Sequence, residues 1–429
     1  MSSSQTEPFH EVLVVGLGAV GAIYSYILKK SGLARVSCVA RGNYEIVSQK
    51  GLTIRSGKYG NIDGWKPDRL FPNVASALRD TSTTQLIPYT HVFITTKFIP
   101  ELSQTPSILA PLLTYSHAQG RKQLGLDAQP VYVVMQNGLG VERDLYNAVS
   151  EVLGGEEPRV VGTAVWIGTN MSGANVVEHN DFDRVTLGLY HPSHQPTSSP
   201  STNALLDQLN TLLSTGGTQT TLTPSIQRVK FAKNLWNIGF AATCTLTGWT
   251  IPAMCRARPS TNDESAVEDD GYEPWVHEST QGSIEEYVWP NIRKLLEEAV
   301  SVGRACGLDE PIEGASGLPD ALVDSTMANT RTLHVRPQSV HIPSMLLDKR
   351  LGRPIEVEGI CGELVRMARE VGVDVPRIEM LYSLLLVVQN QILREVETKK
   401  NSKVVSAVVE VEEQPAVIIV RRGRVKSTY

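Results

Sequence analysis

The N-terminal half of the chain alternates short apolar runs with segments of helical periodicity. Apolar, β-branched runs occupy residues 12–15, 36–40, 91–96, 131–136 and 159–167, and a helical pattern extends from Val20 to Lys30. Strands that alternate with helices predict an α/β domain with a parallel sheet covered by helices on both faces. Residues 188–200 are dense in Pro, Ser and His and predict a loop. His191 and His194 in that loop fit a mobile surface segment better than a metal site.

After Thr223 the pattern changes to helical spacing with almost no strand signal. The helical stretches are Ser225 to Thr245, Tyr287 to Cys306, Ile355 to Val371 and Ile378 to Val396. This change predicts two domains, an α/β domain over residues 1–222 and a mostly α-helical domain over residues 223–398. Residues 399–429 then form a C-terminal tail, or a hairpin added to a sheet edge.

An acidic segment of low apolar content, at about residues 256–286, interrupts the helical domain. Such a sequence buries too little apolar surface to offset the conformational entropy lost on ordering. We therefore expect a mobile insertion there.

Composition narrows the class of protein. The chain has 429 residues and a formal net charge of −5, so it has no basic field for nucleic acid and no polybasic stripe for a membrane surface. Its five cysteines lack CxxC or metal spacing, which predicts reduced thiols, no disulfide and no metal site. The N-terminus resembles no targeting signal, and the apolar stretch from Leu381 to Leu393 is too short and polar for a membrane span. These features favour a cytoplasmic protein that acts on a small molecule.

A glycine motif lies directly behind the first apolar run and directly before the first helix. Gly16, Gly18 and Gly21 form G-x-G-x-x-G in this position. In a dinucleotide site these glycines allow the tight turn, the approach of the pyrophosphate to the backbone and close helix packing, while the helix N-terminus attracts phosphate. The motif predicts a cofactor site built from Gly16, Leu17, Gly18, Ala19, Val20 and Gly21. The alternative is a glycine-rich turn without a ligand.

The residue after the second predicted strand indicates which dinucleotide binds. NAD sites usually carry Asp or Glu about twenty residues beyond the glycines, whereas a 2′-phosphate needs a cation. This chain has Arg41 there, and no acid among residues 40–43. The planar guanidinium fits phosphate oxygens, so Arg41 favours NADPH/NADP+. The alternative is an exposed loop arginine.

Two further strand ends carry polar residues. Lys97 follows the run at residues 91–96, and Asn137 follows the run at residues 131–136. Strand ends of this kind face the cofactor crevice, so Lys97 is a candidate for cofactor binding and Asn137 for contact with the cofactor or the substrate. The alternatives are that Lys97 is a solvated loop lysine and that Asn137 only forms a turn with the glycine that follows it.

The first helix of the second domain carries a polar pair. Lys233 and Asn237 are four residues apart and share one face of a helix. Reduction of a ketone requires a proton for the developing alkoxide, which a desolvated lysine supplies. The alternative is a surface lysine. Ser344 and Glu356 belong to a later polar segment and are further candidate site residues. The alternative is that the carboxylates of this segment only stabilise the first turn of a helix through its dipole.

Seven blocks together resemble the ketopantoate reductase family and cover most of residues 11–395. They are GLGAVG, VAR ending at Arg41, TTK ending at Lys97, QNG at 136–138, K-x-x-x-N at 233–237, LTG at 246–248, and PSMLLD followed by IEVEGICG. The resemblance implies a Rossmann domain and a helical domain like the C-terminal domain of 6-phosphogluconate dehydrogenase, with the substrate between them. It also implies NADPH-dependent reduction of 2-dehydropantoate to (R)-pantoate, a step toward pantothenate and coenzyme A.

The same resemblance assigns roles to particular residues. It implies that Lys233 is the general acid and that Glu356 positions the substrate or supports Lys233. Asn237 and Ser344 would bind the hydroxyl and the carboxylate of the substrate, and Asn137 would lie beside the nicotinamide and the substrate.

Two departures from the bacterial pattern leave the substrate open. Ala241 replaces an asparagine that often follows Asn237 by one turn, and His341 stands where an amide is common. A reductase of another 2-oxo acid therefore remains an alternative, as does a non-catalytic NADP(H)-binding sensor or scaffold. A homodimer is compatible with all three.

Overall fold

The computed structural model describes residues 9–193, 199–258, 274–336 and 339–412, with side chains described as far as Lys399. In this part of the chain ten strands form one sheet. They are β1 (His10–Val15), β2 (Ala34–Val39), β3 (Leu52–Ser56), β4 (Gly60–Trp65), β5 (Arg69–Phe71), β6 (His91–Ile94), β7 (Val131–Val134), β8 (Val160–Met171), β9 (Val176–Leu189) and β10 (Gln219–Leu222). Their spatial order is β4-β3-β9-β8-β7-β6-β1-β2-β5, and β10 pairs with β9.

Helices connect the strands and then dominate the rest of the chain. The N-terminal helices are α1 (Ala19–Lys30), α2 (Tyr44–Lys50), α3 (Thr105–Leu109), α4 (Tyr115–Gln123), α5 (Arg143–Leu153) and α6 (Pro200–Gly216). The later helices are α7 (Ile226–Trp236), α8 (Ala242–Thr247), α9 (Glu278–Ser283), α10 (Trp289–Ala305), α11 (Leu322–His334), α12 (Ser344–Arg350), α13 (Glu363–Val371) and α14 (Pro376–Glu412). Three π-helical segments precede α8, α10 and α13, at Asn237–Ala241, Ile284–Val288 and Glu358–Gly362. Short 3₁₀ turns occur at Ser76–Leu78 and Ile251–Met254.

The centre of the sheet is a Rossmann arrangement. β8, β7, β6, β1, β2 and β5 are parallel to their neighbours. Successive side chains of β1 face opposite cores, because side chains alternate along a strand. Val12 and Val14 pack in the core of α1 and α6, whereas Leu13 and Val15 pack in the core of α5. Helices therefore cover both faces, and the carboxyl ends of the central strands meet at one edge.

The helical part of the chain has a core of its own. Phe231 and Leu235 of α7 pack with Leu296 of α10, Leu364 of α13 and Leu385 of α14, and all five are almost completely buried. Leu139, from the loop that follows β7, joins the same cluster. The helical core thus begins at the edge of the sheet where the central strands end.

The sheet is mixed but mainly parallel, so the predicted α/β domain with a parallel sheet is confirmed, with antiparallel strands added to it. β3 pairs with β4, and β8 with β9, in antiparallel orientation. The sequence pattern missed β9 because charged and amide side chains interrupt its apolar positions between Glu178 and Arg184. The pattern also missed α6 and β10.

The predicted mobile insertion is wrong for its last part. α9 begins at Glu278 and continues through the π-helical segment into α10, and Glu285 forms an ion pair with Arg331 of α11. The acidic residues of this part lie on a helix that packs against the protein on one side only. A low apolar content is therefore sufficient to keep the helix ordered. Residues 259–273 of the segment lie outside the described residues.

The predicted C-terminal hairpin is also wrong as far as the structure describes the tail. α14 extends from Pro376 to Glu412 without a break, so the apolar run at residues 404–411 is helical. No Gly or Pro occurs between Pro376 and Pro415, and the helix propagates one hydrogen bond per residue once it has formed. Residues 413–429 lie outside the described residues.

The predicted loop between residues 188 and 200 follows the end of β9 at Leu189 and precedes α6. His194 and its neighbours, residues 194–198, lie outside the described part of the chain. All five cysteines are free thiols. Among the helices that the structure describes, none is both long and apolar enough to cross a membrane.

Candidate active site

The glycine motif adopts the geometry that a dinucleotide site requires. Gly16 has φ +104°, and a Cβ atom there would lie 2.9 Å from the backbone nitrogen of Thr96. A Cβ on Gly21 would overlap the carbonyl oxygen of Gly16, so α1 packs closely on the turn. By contrast, a Cβ on Gly18 would have no neighbour within 4 Å. The backbone before α1 is therefore open to a phosphate at Gly18 and closed at the other two glycines. Leu17, Ala19 and Val20 complete this turn.

The segment after β2 is held against the glycine turn. The side-chain amide of Asn43 donates a hydrogen bond of 2.9 Å to the carbonyl oxygen of Leu17. Arg41, two residues earlier, is exposed and forms no ion pair within the described residues. An exposed cation thus lies beside the turn. These residues fit a phosphorylated dinucleotide.

Lys97 and Glu356 link the sheet to the helical part of the chain. Lys97, just after β6, forms an ion pair with Asp348 of α12. Glu356 is buried, and its Oε1 atom accepts a hydrogen bond of 3.2 Å from the backbone N–H of Phe98. Partial desolvation lowers the pKa of Lys97, and the negative charge of Glu356 opposes that shift. Lys97 therefore has a partner on α12 that the sequence did not indicate, and its role in cofactor binding stays a prediction.

The loop after β7 meets the helical part backbone to backbone. Gly138 has φ +94°, and a Cβ atom there would lie 2.5 Å from the carbonyl carbon of Gly359. The N–H of Leu139 donates a hydrogen bond of 2.7 Å to the carbonyl oxygen of Gly359. The contact is also close at Gly359, where a Cβ atom would lie 3.3 Å from the carbonyl oxygen of Asn137. Two glycines thus bring the end of β7 into contact with the π-helical segment before α13.

Lys233 and Asn137 come together in the crevice. The ammonium group of Lys233, on α7, donates a hydrogen bond of 2.6 Å to Oδ1 of Asn137. The pKa of Lys233 is lowered to about 8, because burial and, to a smaller degree, the positive charge of Lys230 lower it more than the charge of Glu356 raises it. A lysine in this environment is a better proton donor at neutral pH than one in water.

Lys233 lines a small polar chamber. Its walls are Gln136, Asn137, Gly138, Thr163, Lys230, Lys233, Asn234 and Asn237. Asn237 is the first residue of a π-helical segment, a local widening of the helix that is frequent at functional sites. The side-chain amide of Asn234 donates to the carbonyl oxygen of Ile360, while its Oδ1 atom has no partner within the described residues. The chamber is thus rich in groups that bind polar oxygens and nitrogens.

Ser344 lies at the outer side of the crevice. It is the first residue of α12 and is exposed, and Asp348 follows it by one helical turn on the same face. His341 precedes α12, and its ring centroid lies 5.7 Å from that of Trp236 on α7. One member of this aromatic pair thus lies three residues before Ser344 along the chain.

Three residues near Lys233 were absent from the sequence prediction. Lys230 precedes Lys233 by one helical turn and forms a buried ion pair with Glu142, and Thr163 of β8 lines the same chamber. The spacing of three residues could have indicated Lys230. Nothing in the sequence pairs Glu142 with it, because 87 residues separate them along the chain.

The residues of the crevice can together bind an anionic, oxygen-rich molecule next to the proton donor Lys233. Asn137, Lys233 and Asn237 lie at its centre, Glu356 and Lys97 at the sheet edge, and Ser344 at the outer rim. The glycine turn and Arg41 lie at the carboxyl ends of β1 and β2, along the same edge. This arrangement suits proton transfer beside a bound dinucleotide.

Relatives in other organisms match almost the whole chain. An uncharacterized protein of Saccharomyces cerevisiae is 24% identical over 388 residues, which cover 88% of this chain and 93% of that protein. A 2-dehydropantoate 2-reductase of Nostoc sp. is 25% identical over 369 residues, which cover 86% of this chain and 92% of that protein.

Solved structures share the fold. The 2-dehydropantoate 2-reductase of Methylococcus capsulatus has a TM-score of 0.64 at 22% identity and covers 89% of this chain and 97% of its own. A ternary complex of D-mandelate dehydrogenase with NADH and anilino(oxo)acetate has a TM-score of 0.61 at 16% identity, and the match covers 89% of this chain and 99% of that chain. A dimeric ketopantoate reductase of Staphylococcus aureus has a TM-score of 0.57 at 19% identity, and the match covers 89% of this chain and 99% of that chain. A homodimer of this chain stays a prediction.

Two family models match the two parts of the chain. The model described as ketopantoate reductase PanE/ApbA matches residues 12–192, and the model of its C-terminal domain matches residues 277–389. The matched ranges contain the glycine turn, Arg41, Lys97 and Asn137 in the first part, and Ser344 and Glu356 in the second. The chain belongs to the ketopantoate reductase family of oxidoreductases.

Proposed function

We propose that this protein is an NADPH-dependent reductase of a 2-oxo acid, with 2-dehydropantoate as the first substrate to test and (R)-pantoate as its product. The observation that carries the proposal is the half-buried ammonium group of Lys233, held 2.6 Å from Asn137 in a crevice between the sheet edge and the helical core. A protein that only senses a dinucleotide needs the glycine turn but needs no proton donor in the crevice.

Each residue of the crevice has a task in this reaction. The glycine turn and Arg41 would hold NADPH, which would supply the hydride for the carbonyl carbon of the substrate. Lys233 stabilises the negative charge that develops on the carbonyl oxygen and gives it a proton. Asn137 orients Lys233, Asn237 binds the oxygen substituents of the substrate, and Ser344 binds its carboxylate. The charge of Glu356 favours the protonated form of Lys233 between turnovers.

Arg41 is expected to select NADPH over NADH. Arg41→Ala should weaken NADPH binding by about 10- to 100-fold, because hydrogen bonds between charged groups contribute about 1.5–3 kcal/mol. NADH binding should change little, since it lacks the 2′-phosphate. Fluorescence titration of both coenzymes measures the effect. Arg35→Ala is the matched control, because Arg35 forms an ion pair with Glu11 and should leave both affinities intact. Equal losses for NADPH and NADH in Arg41→Ala would contradict the assignment.

The pKa of Lys233 predicts a pH dependence. A general acid acts in its protonated form, so kcat/KM should be level at neutral pH and fall above a pKa of about 8. The decrease should reach about tenfold per pH unit at high pH, as expected for loss of a single proton. A profile from pH 6 to 10 in constant ionic strength tests this. A profile that stays level to pH 10 would remove Lys233 as the acid.

A second candidate substrate is an aromatic 2-oxo acid. The ring of His341, three residues before Ser344, lies 5.7 Å from that of Trp236, and the D-mandelate dehydrogenase structure holds anilino(oxo)acetate in the same fold. Aromatic rings favour an apolar or aromatic substituent on the substrate.

A panel of 2-oxo acids distinguishes the candidates. NADPH oxidation should be measured with 2-dehydropantoate, phenylglyoxylate and a short aliphatic 2-oxo acid. Highest kcat/KM for 2-dehydropantoate supports the first proposal, and highest kcat/KM for phenylglyoxylate supports the second. Trp236→Leu should then lower kcat/KM selectively for the aromatic substrate. Tight NADPH binding without turnover of any member would favour the non-catalytic sensor.

A further inference from the structure

A second ammonium group lies next to Lys233 and is fully enclosed. Lys230 precedes Lys233 by one turn of α7, and both residues line the polar chamber. The ammonium group of Lys230 forms an ion pair with the carboxylate of Glu142, and their side chains are only 5% and 2% exposed. Two lysines one turn apart repel each other, so their proximity inside a protein needs a reason.

The surrounding structure is shaped to hold this ion pair. Glu142 immediately precedes α5, and the neighbouring strand β8 has Gly162 where a side chain would point at it. A Cβ atom on Gly162 would lie 2.9 Å from Oε1 of Glu142. Lys230 and Glu142 also line a second cavity of about 80 Å³. Lys230 therefore lies between the chamber of Lys233 and a larger cavity.

A buried ion pair is weak evidence for stability. The loss of hydration of two charges often equals or exceeds their attraction, and apolar replacements can be as stable. A role in folding alone therefore explains the pair poorly. Its position suggests an electrostatic role, since Lys230 faces the chamber while Glu142 lies behind it and does not line the chamber.

We propose that Lys230, fixed by Glu142, is a positioning residue for the reduction: its buried charge keeps the neighbouring acid Lys233 ready to release its proton to the substrate. The charges around Lys233 agree with this role. The positive charge of Lys230 lowers the pKa of Lys233, whereas the negative charge of Glu356 raises it. The two neighbours act in opposite directions, and their balance sets the acidity of Lys233. The proposal rests on the proposed function.

The test replaces the ion pair by neutral side chains of similar size. Lys230→Met by itself leaves a buried unpaired carboxylate, which strongly destabilises a protein, so the double variant Lys230→Met/Glu142→Gln is the main one. Removal of the positive neighbour should raise the pKa of Lys233. The alkaline limb of kcat/KM should then move upward by about 0.5–1.5 pH units. A role in folding alone would leave the limb in place.

A second ion pair on the wall of the same cavity is the matched control. Arg143 pairs with Glu363, and both line the second cavity but not the chamber of Lys233. Arg143→Met/Glu363→Gln should leave the alkaline limb where it is in the unmodified protein. An unchanged limb in the folded Lys230→Met/Glu142→Gln variant, or an equal movement in the control, would overturn the proposal.

A measurement without substrate separates this proposal from the proposed function. The protein is labelled with ¹³C at the lysine side chains, and the signal of Lys233 is assigned by its loss in Lys233→Met. Its titration midpoint should rise in the Lys230→Met/Glu142→Gln variant even if no 2-oxo acid is turned over. An absence of turnover with a raised midpoint would overturn the reductase and retain the electrostatic coupling. An unchanged midpoint would overturn the coupling whatever the substrate.

Discussion

Lys233→Ala is expected to lower kcat by about 10²- to 10⁴-fold, the range that general acid catalysis contributes. The alanine variant lacks the proton donor beside the substrate and the positive charge that stabilises the alkoxide. Affinity for NADPH should stay within about twofold, because Lys233 lies on α7 whereas the glycine turn and Arg41 lie at the ends of β1 and β2. Steady-state kinetics with the best 2-oxo acid and fluorescence titration of NADPH give the two quantities.

Two further variants control this result. Lys294→Ala removes an exposed lysine from α10, far from the crevice in the helical layer, and should leave kcat unchanged. Lys233→Arg keeps a positive charge but replaces the proton donor with a group that does not deprotonate in proteins, so its kcat should also be low. If Lys233→Ala retained kcat within about threefold of the unmodified protein, another group would have to supply the proton.

Gly138→Ala is expected to lower the free energy of unfolding by about 2–5 kcal/mol and to reduce activity as well. A left-handed backbone costs a residue with a side chain about 1–2 kcal/mol, and overpacking adds about 1–3 kcal/mol. The added Cβ would lie 2.5 Å from the backbone of Gly359, so the loop or the π-helical segment must move. Asn137 would move with the loop and lose its hydrogen bond to Lys233. Urea denaturation and kcat/KM measure the two effects.

Gly154→Ala is a control that separates the effect of the close contact at Gly138 from the effect of the left-handed backbone conformation. Gly154 ends α5 with φ +66°, and a Cβ atom there would have no neighbour within 4 Å. This control should be less stable by only about 1–2 kcal/mol and should keep full activity. Equal effects of Gly138→Ala and Gly154→Ala would mean that the contact with Gly359 does not position the site.

The parts of the site that depend on short sequence segments were predictable. The glycine turn between β1 and α1 needs only a strand, a tight turn and a helix start, and the open space at Gly18 agrees with its assigned place beside a phosphate. Arg41 follows β2 in the same unit, so its position next to that turn also follows from a local pattern. Lys233 and Asn237 share a helix face because their spacing dictates it.

The parts that depend on contacts between distant segments were not predictable from spacing. The hydrogen bond from Lys233 to Asn137 joins residues 96 positions apart, and the ion pair of Lys97 with Asp348 joins residues 251 apart. Strand β9 escaped the apolar pattern because its middle part is polar and mostly exposed, and the pairing with β8 that keeps this part in the sheet joins it to another segment of the chain. Resemblance to a family supplied roles for residues that periodicity alone left open.

Local patterns along the chain thus specified an α/β unit with a glycine turn, a cation beside it and a helical second half, because turns, strand ends and helix faces arise from neighbouring residues. The acidity of Lys233 arises instead from the packing of separate segments. Burial, the charge of Lys230 and the charge of Glu356 act through space, and the close approach of Gly138 and Gly359 brings the two halves of the chain together around Lys233. Electrostatic fields and excluded volume depend on distances in three dimensions, which sequence separation does not determine.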